Sequence, residues 1–189
     1  MARLNVLIAG LLLAGSAASS SAAPAACPAL LQHKLPRLQD EKPVDLCTWS
    51  GKVVLVVNTA SYCGFTSQYK SLEALSDRYR ARGLVVLGFP SNDFGAQEPG
   101  SNGDIAAFCE NTFGVRFPMF AKSVVSGRGG AAPNALYAQL AQRTGQAPKW
   151  NFHKYLIGRD GTQVSSHASA VEPNDPKFIQ EIEKLLKTD

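Results

Sequence analysis

The residues best suited to chemistry lie in the run Asn58-Thr59-Ala60-Ser61-Tyr62-Cys63-Gly64-Phe65-Thr66. Before it comes Val53-Val54-Leu55-Val56-Val57, which reads as a strand buried on both faces. After it comes a helical pattern. Cys63 therefore falls at the carboxyl end of a strand, where open α/β sheets place their ligands. It also falls just ahead of a helix N-terminus, where the dipole and free N–H groups stabilise a thiolate, the reactive form of the side chain. An inert cysteine acting as a small hydrophobe calls for an apolar neighbourhood, whereas the flanks here are Asn, Ser and Gly. Three residues on stands Thr66, so the Cys-x-x-Cys of a dithiol exchanger is absent. A lone activated thiolate points to attack on an external electrophile. A peroxide O–O bond fits, turning the thiolate into a sulfenic acid.

The elements that must position this cysteine follow in a regular order. Residues 27–51 mix Pro, charge and short apolar stretches and suit a small hairpin. From Ser67 to Arg82, Tyr69, Leu72, Leu75 and Tyr79 recur at helical spacing, with Gly83 as the stop. Leu84 to Phe89 reads as a second buried strand. Ser101 to Thr112 opens on a Ser-x-x-Asp capping pattern and sets Ile105, Phe108 and Cys109 on one face. Pro133 to Thr144 is a third helix. Tyr155 to Ile157 and Val164 to Ala168 flank the turn Gly158-Arg159-Asp160-Gly161, and Phe178, Ile179, Ile182, Leu185 and Leu186 mark a closing amphipathic helix. This order predicts an α/β chain with a thioredoxin-like fold: a mixed central sheet, helices on both faces and an N-terminal β-hairpin.

Composition narrows the function classes. With 189 residues, 45 % hydrophobic and 18 % charged, the chain is neither disordered nor a coiled coil. The net charge of +4 is scattered, without a basic run, so no nucleic-acid partner is expected. His33, His153 and His167 read as dispersed surface or hairpin residues, so no metal site is expected. Gly129-Gly130 follows no strand and makes no phosphate loop. Arg3 followed by the apolar run 6–14 and small residues to Ala23 reads as a secretory signal over residues 1–23, with cleavage as late as residue 26, ahead of a single domain over 27–189. The apolar run is too short to span a membrane. Export is expected, to the periplasm if the source is Gram-negative. Lipid attachment at Cys27 is the weaker reading, because Pro24 occupies a position where such signals carry a bulky aliphatic residue.

Four ordered motifs then carry a family resemblance. The Cys63 segment, Gly88-Phe89-Pro90-Ser91-Asn92-Asp93-Phe94-Gly95-Ala96-Gln97-Glu98-Pro99-Gly100, Phe117-Pro118-Met119-Phe120, and Lys149-Trp150-Asn151-Phe152 with Leu156 to Gly161 together resemble the glutathione peroxidase family. The resemblance runs from about Lys52 to the final helix. It implies a peroxidatic tetrad of Cys63, Gln97, Trp150 and Asn151, in which two amides and an indole offer donors to a thiolate or a developing alkoxide. Asn58 is expected to help hold the loop. The resemblance also places Cys109, forty-six residues after Cys63, at the resolving position of two-cysteine members. The competing reading makes Cys109 a core residue beside Phe108.

Two departures stand out: Asp93 where Gln is usual, and Ser91 where Cys is frequent. An Asp93 carboxylate beside the peroxide site disfavours a thiolate. The short connection from Ser126 to Lys149 lacks the insertion of tetrameric members, so a monomer is expected. No resident cofactor is implied. The electron donor is a thiol co-substrate, either a thioredoxin-like protein or glutathione. Cys27 and Cys47, left over, either form a structural disulfide or lose that option through cleavage or lipidation at Cys27. The leading expectation is a thiol peroxidase acting on hydrogen peroxide and organic hydroperoxides. The alternatives are a peroxide-sensing thiol–disulfide relay and a non-catalytic thioredoxin-fold binding module.

Overall fold

The computed structural model describes Met1 and residues 26–188. The expected leader and its cleavage site lie outside the described residues, apart from Met1 and Ala26. β1 (Lys34–Pro36) and β2 (Pro43–Asp45) form the N-terminal antiparallel hairpin. The main sheet has the order β4-β3-β5-β6. Its centre is β3 (Val53–Thr59), paired in parallel with β4 (Leu84–Pro90), Val53 opposite Leu84. On the other side β3 meets β5 (Lys154–Ile157) antiparallel, and β5 meets β6 (Val164–His167) antiparallel. The mixed sheet of a thioredoxin-like fold is the one expected.

The β3 run is buried along its whole length because both faces are covered. Val53, Leu55 and Val57 pack with α1 (Gln68–Tyr79), α2 (Asn102–Phe113) and α4 (Pro176–Lys187). Val54 and Val56 point the other way, into a second core closed by α3 (Ala135–Thr144) and the N-terminal arm. Side-chain alternation along one strand thus anchors both layers. The arm is stapled to the body by a Cys27–Cys47 disulfide, which resolves the pairing that the sequence left open.

The helix ends are set locally. Ser101 and Asp104 form a reciprocal capping box at the start of α2. Asn134, rather than Pro133, caps α3 by accepting from the Tyr137 N–H. The α-helical part of the 67–82 segment stops at Tyr79. Residues 80–82 tighten into a 3-10 turn, and Gly83 leaves it at φ +100.

Candidate active site

After β3 ends at Thr59, the chain crosses three residues to Cys63 and needs eight to reach the first residue of α1 at Gln68. Thr66 organises that turn. Its hydroxyl donates to the Ala60 carbonyl at 2.9 Å and accepts from the Cys63 N–H at 3.0 Å. The residue that replaces a second cysteine therefore shapes the sulfur's loop. The Phe65 N–H points at Cys63 Sγ, 3.4 Å away, as a donor suited to a thiolate. Cys63 is a free thiol, 9 % exposed.

Three further expected residues assemble beside this loop. The Tyr62 N–H donates to the Gln97 carbonyl at 3.1 Å, fixing the residue before the sulfur to the residue that supplies an amide. Asn151 Nδ2 donates to Gln97 Oε1 at 3.0 Å. The Trp150 ring packs against Phe94, centroids 5.9 Å apart, and its edge lies 3.5 Å from the point where a side chain on Gly95 would begin. Gly95 (φ +63) and Ala96 (φ +50) turn the chain sharply just before Gln97. On the other side Phe152 takes φ +61, costly for an aromatic residue and typical of segments held by their surroundings at functional sites. Asn58 does the holding that was expected of it. Its Nδ2 donates to the Trp150 carbonyl at 3.1 Å, and its own carbonyl accepts from the Phe152 N–H at 2.6 Å.

Cys109 lies in the middle of α2, free and 2 % exposed, in the same buried cluster as Cys63. Burial pushes its thiol up to about 11. Its helix neighbour Phe108 stacks on Tyr62, centroids 6.4 Å apart, so α2 covers the Cys63 loop through the residues preceding the two cysteines.

Several sequence readings change. Asp93 does not present both oxygens to solvent or peroxide: its Oδ2 accepts from the Val125 N–H, the Ser126 N–H and the Ser126 hydroxyl at 2.8–2.9 Å, so it anchors the 125–126 segment. Ser91 is fully buried. The histidines are not uniformly superficial or dispersed. His153 is 4 % exposed, 2.9 Å from the Ser166 hydroxyl, and held down to about 4 by burial, with nearby Lys154 adding to the effect. His167 sits opposite Lys154 across β5 and β6. The reason is register, because pairing β5 with β6 brings residues 153 and 167 to one patch. Among the described residues no three His, Cys, Asp or Glu side chains gather to hold a metal.

Sequence reasoning missed three features. Tyr62, next to Cys63 in the chain, is 69 % exposed, and with Trp150 it is one of two large apolar side chains exposed among residues 26–188. Arg128 lies over the Phe94 ring at 5.5 Å. Lys154 is fully buried behind the Trp150–Phe152 turn. The signal for the last was a charge inside an otherwise apolar strand.

Comparison with known proteins gives the family. The family model described as Glutathione peroxidase matches residues 32–141. The Schizosaccharomyces pombe glutathione peroxidase-like peroxiredoxin gpx1 is 47 % identical over 152 residues, covering 80 % of this chain and 95 % of that one. The Escherichia coli thioredoxin/glutathione peroxidase BtuE is 39 % identical over 169 residues, covering 78 % and 92 %. Among solved structures, apo Trgpx superposes with a TM-score of 0.67 at 36 % identity, covering 86 % of this chain and 98 % of that one. A Chlorobium tepidum thiol:disulfide interchange protein of the thioredoxin family gives 0.63 at 15 % identity, covering 88 % and 99 %, and shows the shared fold alone. The chain belongs to the glutathione peroxidase family and is an oxidoreductase acting on peroxides.

Proposed function

We propose that Cys63 is the peroxidatic sulfur of this thiol peroxidase and that Gln97, Trp150 and Asn151 serve its reaction. The Cys63 thiolate attacks one oxygen of hydrogen peroxide or an organic hydroperoxide and the O–O bond breaks. The sulfur leaves as sulfenic acid, and the departing alkoxide takes a proton to become water or an alcohol. The donors gathered beside the loop are suited to the charge that develops on the departing oxygen. None of the three titrates near neutral pH. The observation that carries the reading is the Gln97–Asn151 hydrogen bond joined, through Tyr62, to the sulfur's own loop.

Cys109 closes the cycle. Its S–H condenses with the Cys63 sulfenic acid, forming a disulfide and releasing water. Two thiols of a reductant then restore both cysteines. In this conformation Cys109 is buried, protonated and locked in a helix, so resolution requires α2 to open. The reductant is a thioredoxin-like protein or glutathione, and a thioredoxin-like donor suits an internal disulfide best. The catalytic sulfur needs no resident cofactor. The protein acts as a monomer and is exported, a location that the Cys27–Cys47 disulfide supports. Among the described residues no helix is long and apolar enough to cross a membrane.

The test is to treat reduced protein with one equivalent of an alkyl hydroperoxide, alkylate, and map the cysteines by mass spectrometry. A Cys63–Cys109 bond is expected. Oxidised Cys63 with Cys109 still alkylated makes the cycle one-cysteine, and a fully reduced Cys63 rejects the assignment.

A further inference from the structure

Lys154 carries a charge into β5 with no exposure at all. Its Nζ donates to the Phe152 carbonyl at 2.7 Å and to the Ser169 carbonyl at 3.4 Å. Phe152 is the left-handed residue that ends the Trp150–Asn151 turn. That turn is gripped from two strands, by Asn58 of β3 on its front side and by Lys154 of β5 behind it. The Ser169 carbonyl also accepts from Gln68 Nε2 at 2.8 Å, and the same amide reaches Glu172 Oε1 at 3.2 Å. Gln68 is the first residue of α1, so one network joins the helix behind Cys63 to the turn that carries Trp150 and Asn151.

The charges around the ammonium are few. Glu172, in the segment before α4, attracts its proton. His153 precedes it in the chain and His167 faces it from β6; burial lowers both, and proximity to Lys154 lowers them further. His167 is itself 3.3 Å from Glu181 of α4. Lys149 adds positive charge near His153. From α1 the neutral amide of Gln68 shares the Ser169 carbonyl with the ammonium.

We propose that Lys154 is a positioning residue for peroxide reduction: its buried ammonium clamps the Phe152 carbonyl and so aims Trp150 and Asn151 at Cys63, and loss of its proton slackens that aim. The proposal rests on reading Cys63 as the peroxidatic sulfur. Burial holds the ammonium down to about 7 against the pull of Glu172. Its bonds to the two carbonyls therefore change from charge-assisted to neutral near physiological pH, and neutral bonds are roughly half as strong. Unfolding does not mimic this effect. Between about 7 and the usual lysine value the unfolded chain binds the extra proton, so Lys154 makes the fold more stable as pH rises through that window.

Two measurements on the reduced full chain test it. The first is the second-order rate of Cys63 oxidation by hydrogen peroxide, divided by the thiolate fraction titrated separately. It is expected to fall about three- to fivefold from near pH 6 to near pH 8, because deprotonation gives up about half of a charge-assisted bond. Lys154→Met is expected to be about tenfold slower near pH 6 and flat across the range. The second uses a Trp49→Phe background, which leaves Trp150 as the only tryptophan. Its emission is expected to titrate over the same range with Lys154 present and not in Lys154→Met. A flat wild-type profile with unmoved emission overturns the proposal, even if Lys154→Met fails to fold. Wild-type Cys63 that peroxide does not oxidise overturns the peroxidatic reading instead, and the emission titration still decides the clamp.

Discussion

Gln97 and Asn151 hold each other through an amide–amide hydrogen bond between residues 54 apart in the chain, so neither is free to drift when peroxide enters. Gln97→Ala removes one donor and unties Asn151. It is expected to lower the second-order rate with peroxide by about a hundred- to a thousandfold, the range for loss of a donor to a developing oxyanion. Stopped-flow oxidation of reduced protein measures this, and a change below twofold means the Gln97 amide does not face the reacting oxygen. The types of these residues were legible in the sequence because four motifs occurred in family order. Their mutual grip was not, since a motif names a residue without showing where its amide points. Lys154 was overlooked although its charge in an apolar run was there to be read. A lysine in a sequence reads as surface until strand pairing shows both neighbouring strands covering it. The anchoring of Asp93 was hidden too, since its partners Val125 and Ser126 lie more than thirty residues on.

At the scale of elements, apolar periodicity, capping patterns and continuous apolar runs located the four α-helices and the main strands, while the 3-10 turns Ala29–Leu31 and Leu46–Trp49 went unread. Their ends followed local chemistry that periodicity does not see, such as the Arg80–Arg82 tightening and the Asn134 cap. The approach of β4 to residues 117–119 was likewise hidden. Gly88, in β4, bridges to Met119, and a Cβ added there lies 2.2 Å from Met119 Sδ and 3.1 Å from a Phe117 ring carbon. Gly88→Ala is expected to destabilise the fold by about 1–3 kcal/mol, the usual cost of overpacking a filled core. Chemical denaturation reports it as a lower midpoint at unchanged slope. An unchanged midpoint means that Met119 swings aside at no cost.

The whole molecule is held by two buried cores and one covalent tie. The Cys27–Cys47 bridge closes a loop of about 20 residues, for which chain entropy gives roughly 3 kcal/mol. Cys47→Ser is expected to lose about that much stability in urea while keeping peroxidase turnover at temperatures where it stays folded. Lost turnover in folded protein would place the arm in the reaction. Acid acts through His153. Its folded value of about 4 lies below the ordinary 6.5, so the unfolded chain binds more protons between those limits. Stability is therefore expected to fall as pH drops from 6.5 towards 4, by up to about 3 kcal/mol, and His153→Gln is expected to shrink that fall. An equal fall in the variant assigns the acid sensitivity to other groups. Above these lies the reaction itself, and the most direct measurement is hydroperoxide consumption by reduced wild type and Cys63→Ser with a thiol donor in excess. The wild type is predicted to turn over repeatedly, with Cys63→Ser no faster than donor alone; undiminished turnover in Cys63→Ser would move the chemistry away from this sulfur.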